Sequence, residues 1–211
     1  MADIVLTRKE REKLVHKEAI CRASLHLFSR KGFHNVSMQD IAAESEFAVG
    51  TLYNFFSSKE QLFAELSNDC AEKIHQLLAP IFETEENDEL KIRTFIKLHS
   101  KLVEDNIEFI KLYVSQQGQL TVSHNSGYER ADNIKILLRK KLQDVIESGI
   151  RNKIFRNVDA LITSLSIVAT TQSLIFEYSE DFSRAKMEQG LAKLEHLFVD
   201  GLLLAENKRN G

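Results

Sequence analysis

Residues 32–62, GFHNVSMQDIAAESEFAVGTLYNFFSSKEQL, read as two short helices joined by a tight turn and followed by a capped third helix. Ser37 opens the first: its hydroxyl is placed to accept the backbone N–H of Asp40 while the Asp40 carboxylate reaches back, the aspartate form of a capping box. Ile41 and Ala42 then face a core. The second helix, Val49 to Phe56, keeps Leu52 and Phe55 on one side at helical spacing, with Phe47 entering from the turn to close a small core. Val49, Gly50, Thr51, Tyr53 and Asn54 fall on its other side. Ser57 to Glu60 spell a second capping box, so a long helix begins there with exposed N–H groups and Lys59 beside them. Such a terminus suits a phosphate. The order is that of a helix-turn-helix, in which Gln39, Thr51 and Asn54 are expected to face base edges.

With the helix before it, KEAICRASLHLFSRKGF (17–33), and the segments IAAE (41–44), GTLYNFF (50–56) and SKEQLF (58–63), this region resembles the N-terminal domain of the TetR family of bacterial transcriptional regulators. The resemblance covers about residues 10 to 65, and beyond that it is one of layout only. It implies an all-α chain with a three-helix DNA-binding domain over 1–57 and a helical ligand-binding and dimerisation domain over 58–211. Ser37, Gln39, Val49, Gly50, Thr51, Tyr53, Asn54 and Lys59 are the residues it assigns to operator DNA. Two positions depart from the family pattern. Glu46 stands where the family usually has glycine in a left-handed turn, a conformation that costs a residue with a side chain about 1–2 kcal/mol. Val49 stands where lysine is frequent, which removes a phosphate or base contact and favours an apolar contact with a thymine methyl.

The formal net charge of −3 over 211 residues looks wrong for a nucleic-acid binder until it is split along the chain. Residues 8–31 carry eight Lys and Arg against three Glu, so the basic excess lies where DNA would lie and the remainder is acidic. A solvated helix face has the same charge pattern, so charge alone does not decide. Cys21 and Cys70 are far apart and outside any metal-ligand spacing, which gives neither a disulfide framework nor a zinc site. No signal peptide and no run of about 18 apolar residues is read from the sequence, and a cytoplasmic protein is expected.

The rest reads as successive helices. The chain has one proline and no alternating β-rich segments. Thr7 to Glu10 cap the first helix and Gly32 stops it, with Ile20, Ala23, Leu27 and Phe28 as its buried stripe. Later helices are expected from Ser57 to about Pro80 and over 88–105, 107–118, 127–150, 158–179 and 184–206, with a capping box at Ser126–Glu129. Helix 158–179 carries Leu161, Leu165, Val168 and Ile175 among small Ser and Thr residues. The last carries Met187, Leu191, Leu194, Phe198 and Leu202, a stripe at helical spacings of four and three. Both fit a plain core. The resemblance implies instead that Leu161, Leu165, Val168, Leu191, Leu194 and Phe198 join two subunits in a four-helix bundle. A homodimer also suits a short reader helix, which covers too few base pairs alone.

The family holds a small-molecule pocket between reader and bundle. Polar groups on apolar faces suggest Phe109, Tyr113, Gln116 and Gln117 on one helix, Phe95 and His99 on another, and Cys70 and Thr171, for an amphipathic or aromatic effector. Each also fits an ordinary core position. Against an enzyme, Glu72 and His75 have the Glu-x-x-His spacing of a di-iron bundle, but the required second copy is missing. There is no phosphate-cradling Gly loop, HExxH or Gly-x-Ser-x-Gly elbow, so no catalytic residues, metal or cofactor are assigned. The expectation is a ligand-responsive repressor; a helical protein–protein adaptor is the alternative that keeps the fold and discards the DNA.

Overall fold

Thr7 opens the first helix with a complete capping box: its hydroxyl accepts the Glu10 N–H while the Glu10 carboxylate accepts the Thr7 N–H. The computed structural model describes residues 7–116 and 127–203. Its helices are α1 (Arg8–Lys31), α2 (Met38–Glu44), α3 (Val49–Tyr53), α4 (Lys59–Leu78), α5 (Asp88–Asp105), α6 (Ile107–Gln116), α7 (Glu129–Arg151), α8 (Ala160–Ser179) and α9 (Arg184–Glu195). Short 3-10 turns follow α1 and α4, and a π-turn, His196–Asp200, follows α9. One isolated antiparallel bridge, Phe155 to Leu203, is the β-type pairing among the described residues. Contacts divide the chain into two compact units, residues 1–68 with 112–128 and residues 69–111 with 129–211. The expected capping box at Ser126 begins outside the described residues.

In the first unit the stripe Ile20, Ala23, Leu27 and Phe28 of α1 is buried together with Phe33, Val36, Ile41, Leu52, Phe56, Leu62 and Phe63. Gly32 ends α1 at φ 78, a backbone that favours glycine, and its N–H donates to the Phe28 carbonyl. Phe33 then packs against Phe28 at 5.0 Å and edge-on to Phe63 at 5.6 Å between ring centroids. The Lys59 ammonium caps this cluster, lying 4.7 Å from the Phe33 ring centroid and donating to the carbonyls of Phe33, His34 and Val36 at 3.0, 3.3 and 3.2 Å. These bonds use all three of its donors.

The turn between α2 and α3 is a Schellman motif, in which Phe47 N–H donates to Ala42 O and Glu46 N–H to Ala43 O. Glu46 occupies the left-handed position at φ 59. The chain therefore keeps the family's turn geometry without its glycine, and the hydrogen bonds and packing around it hold the strained residue. α3 is shorter than the expected Val49–Phe56. Asn54 N–H is shared between Gly50 and Thr51 carbonyls and Phe55 N–H donates to Leu52 O, so the last turn tightens and the helix ends. That tightening corrects one core position: Phe56, 2% exposed, is the buried aromatic, and Phe55 is half-buried. The capping of α4 also differs. Ser58 accepts the Gln61 N–H and the Gln61 side chain accepts the Ser57 N–H, one residue beyond the expected Ser57–Glu60 box.

In the second unit α9 packs on α5 and α8, and α7 packs on α5 and α8. Ile92, Ile96, Val103, Leu142, Ile146, Ile167, Met187, Leu191 and Val199 form its fully buried interior. Gly149 is required by packing, because a Cβ there would meet the buried Phe155 ring at 2.1 Å.

Glu46→Gly is expected to raise unfolding free energy by about 0.5–1 kcal/mol, the left-handed penalty less glycine's extra backbone entropy. Glu46→Val should lower it, and urea denaturation of the three chains checks both signs. Lys59→Met keeps the stem over Phe33 and strands three carbonyls, so stability should fall by about 1–3 kcal/mol in the same assay.

Candidate functional site

α2 and α3 present the candidate surface through opposed faces of very short helices. Ser37 caps α2, accepting the Asp40 N–H at 3.1 Å while the Asp40 carboxylate accepts the Ser37 N–H at 2.8 Å. The Ser37 side chain and backbone bonds hold the Asp40 carboxyl below the usual range, so the cap is ionised at neutral pH. Ser37 and Gln39 are exposed at the start of that helix. On α3 the inward residue is Leu52, 0% exposed, and the outward side consists of Gly50, Tyr53 and Asn54 with Val49 and Thr51 half-buried. Tyr53 is 51% exposed.

Gly50 is informative because nothing in the fold asks for it. A Cβ built there meets no atom within 4 Å, and its backbone has no positive φ. A bare Cα at an outward helix position costs helix stability and leaves room for another molecule to approach the backbone.

α1 touches the α2–α3 turn through His16, whose ring lies 4.9 Å from that of Phe47. Lys17 pairs with Glu65 of α4, so part of the basic excess is used internally, whereas Arg8, Lys9, Arg11, Lys13 and Arg22 are exposed. Lys59 corrects the sequence expectation. A terminus-sited lysine suggests a phosphate contact, yet its ammonium is turned inward to the carbonyls that end the loop after α1, a pairing across 23 to 26 residues that local sequence does not reveal.

The expected ligand residues fall in both units. In the second unit Cys70, Phe95, Phe109 and Thr171 are buried. Burial pushes the Cys70 thiol up to about 11, so it stays protonated. Desolvation lowers the His99 imidazole below its usual range; its Nδ1 lies 2.8 Å from the Phe95 carbonyl and its ring meets Phe95 edge-on. The hydroxyl of Thr171 is buried and has no hydrogen-bond partner among the described residues. Tyr113 is half-buried and belongs to the first unit, and the Gln116 side chain and Gln117 lie outside the described residues. An open groove of about 430 Å³ is lined by Glu72, His75, Glu129, Arg130, Asn133, Ile134 and Leu137, and it contains none of these expected residues. The Arg130 guanidinium sits 3.9 Å from Glu72, beside the lone Glu-x-x-His pair. Among the described residues no cluster of three His, Cys, Asp or Glu is placed to hold a metal.

The expected subunit contact splits. Leu161 and Leu165 on α8 are 43% and 44% exposed, next to Ile162 at 59%, and Val168 is half-buried. Leu191 and Leu194 are 1% and 9% exposed, so they are interior residues of the single chain, held where α9 packs on α5 and α8. Phe198 is half-buried, while Leu197 is 64% exposed. α8 is also more apolar than expected: an 18-residue window within Ala160–Ser179 has mean hydropathy 1.3, long and apolar enough by composition to cross a membrane, yet 22% of it is buried. Ser164 and Ser166 donate back to the carbonyls of Leu161 and Ile162, which removes much of their polarity.

A sequence profile described as "Bacterial regulatory proteins, tetR family" matches residues 20–66, the segment just described as α1 to α4. The HTH-type transcriptional regulator YhgD of Bacillus subtilis (strain 168) is 25% identical over 196 residues, 88% of this chain and 96% of that protein. Among solved structures, a TetR transcription regulator from Haloarcula marismortui ATCC 43049 superposes with a TM-score of 0.76 at 17% identity, covering 90% of this chain and 100% of that one. The TetR family regulator PfmR from Thermus thermophilus gives 0.71 at 21% identity, covering 95% and 100%. Residues 20–66, with the capped α2 and the outward α3 face, thus carry the helix-turn-helix of the TetR family, and over most of its length the chain is similar to HTH-type transcriptional regulators.

Proposed function

We propose that the protein is a homodimeric repressor whose residues 1–57 read operator DNA and whose remaining helices bind a small effector and join the subunits. The observation that carries the reading is the outward side of α3, where Gly50 sacrifices helix stability with no internal contact to justify it and Tyr53 and Asn54 stand in solvent. Asn54 and Gln39 have the amide groups that pair with adenine edges, Thr51 and Val49 offer methyl groups to thymine, and Tyr53 offers a hydroxyl to a phosphate. The exposed cations of α1 supply the salt-dependent part of the affinity.

A five-residue reader covers too few base pairs for useful discrimination, so a second copy is needed. The exposed Leu161, Ile162 and Leu165 on a helix rich in small residues are the surface for it. The protein acts in the cytoplasm, where its DNA lies. The effector is an uncharged or amphipathic molecule, because the candidate interior offers Phe95 and Phe109, a neutral His99 and the unpartnered Thr171 hydroxyl rather than a fixed charge. It would release operator DNA by favouring a spacing of the two readers that no longer matches successive major grooves.

Gly50→Ala separates this reading from a helical adaptor that never meets DNA. It should raise the melting temperature, worth about 0.5–1 kcal/mol of helix propensity, and at the same time weaken binding to a selected genomic fragment by about tenfold or more. A stabilised variant with unchanged DNA affinity would remove α3 from the interface. Leu165→Lys on the exposed face of α8 should yield a folded monomer in sedimentation; an undisturbed dimer would place the subunit contact elsewhere.

A further inference from the structure

The end of the last helix holds a five-residue π-turn, His196–Asp200, and the side chains around it explain why it is there. The apolar pattern Met187, Leu191, Leu194, Phe198, at spacings of four, three and four, asks an uninterrupted α-helix to bury Phe198. The structure instead buries Val199 at 0% exposure, leaves Phe198 half-buried and turns Leu197 out at 64%. One extra residue has been taken into the turn, which rotates everything after it by about 100° relative to an α-helix. Downstream the rotated segment is held, because Arg156 N–H donates to Leu202 O at 2.8 Å and Leu203 pairs with Phe155.

Arg93 of α5 grips both ends of the π-turn. Its Nη1 donates to Glu195 at 2.8 Å, its Nη2 to Asp200 at 2.6 Å, and its Nε to Glu89 of its own helix at 2.8 Å. Glu195 and Asp200 are five residues apart. On an α-helix residues five apart point about 140° away from each other, beyond the span of one planar guanidinium. A π-turn closes its ring at that same separation and brings them to one side. The clamp is well shielded, with side-chain exposures of 20% for Arg93 and 11% for Glu195, and it is extended by Lys97 on Glu195 at 3.4 Å and by His196 on Asp200.

We propose that the segment after α9 has two registers, an α register that buries Phe198 and a π register that buries Val199, and that Arg93 is the positioning residue that selects the π register. The choice decides which side chains this end of the molecule shows to solvent. Arg93 is thus a conformational lock set in α5 and read out on the last helix.

Thiol labelling of single-cysteine substitutions tests the lock, with Cys21 and Cys70, both buried, as the slow background. Phe198→Cys, Val199→Cys and Leu191→Cys are labelled in the Arg93 chain and in Arg93→Met. With Arg93 present, position 199 should react more slowly than position 198. Arg93→Met should speed labelling at 199 by about tenfold or more and slow it at 198, while position 191, one of the interior residues upstream, stays protected. Faster labelling at both 198 and 199 would show an end that merely frays, and unchanged rates at both would show that Arg93 does not set the register; either result overturns the proposal. If position 191 also becomes reactive, Arg93→Met has unfolded the unit. Asp200→Asn, which leaves Glu89 and Glu195 on the guanidinium, is then read by the same criteria.

Discussion

A five-residue helix has no stability of its own in water, and the DNA-reading unit is arranged around that deficit. α3 has no side-chain cap, contains a glycine and ends in a tightened turn. Its position comes from elsewhere: Leu52 and Phe56 are sunk in the core, the Schellman turn at Glu46 sets its entry, and α1 and α4 build the wall behind it. The Phe28–Phe33–Phe63 cluster under the Lys59 ammonium is the rigid point of that wall. Holding α3 from behind leaves its outward side unconstrained by the fold, so Gly50, Tyr53 and Asn54 are free for the DNA contact proposed for them.

The second unit shows the opposite balance. α8 is apolar over most of its length and little of it is buried, whereas α9 is amphipathic and its leucines are consumed by the chain's own interior. An apolar helix with so much exposed surface is costly for a single chain in water, and covering it with a second copy is the arrangement that the proposed dimer supplies. Within the interior, the orphan hydroxyl of Thr171 is the one buried side-chain polar atom without a hydrogen bond among the described residues, and a bound effector would give it a partner.

Features determined within three or four residues were legible in the sequence. The capping boxes at Thr7 and Ser37, the glycine stop at Gly32 and the buried stripe of α1 follow from short-range hydrogen-bond chemistry and periodicity, and the left-handed demand on Glu46 came from the family resemblance. What was not legible depends on partners distant in sequence. Lys59 looked like a phosphate ligand because its carbonyl acceptors lie 23 to 26 residues earlier. The resemblance set Leu191 and Leu194 in a subunit seam, and their periodicity fitted a plain core equally, because it shows that a stripe is buried without showing what buries it. The π-turn was hidden by a regular apolar spacing, and a clamp from Arg93, more than a hundred residues away, overrides that spacing.

In the proposed dimer α3 is a reader used twice in one molecule. Selecting genomic fragments with the purified protein and sequencing them tests this most directly. A dimer of such readers should enrich fragments sharing two inverted half-sites whose centres lie one helical turn of DNA, about 10 base pairs, or a small multiple of it apart. Enrichment no better than that of random sequence, or a shared motif with a single unpaired half-site, would contradict it.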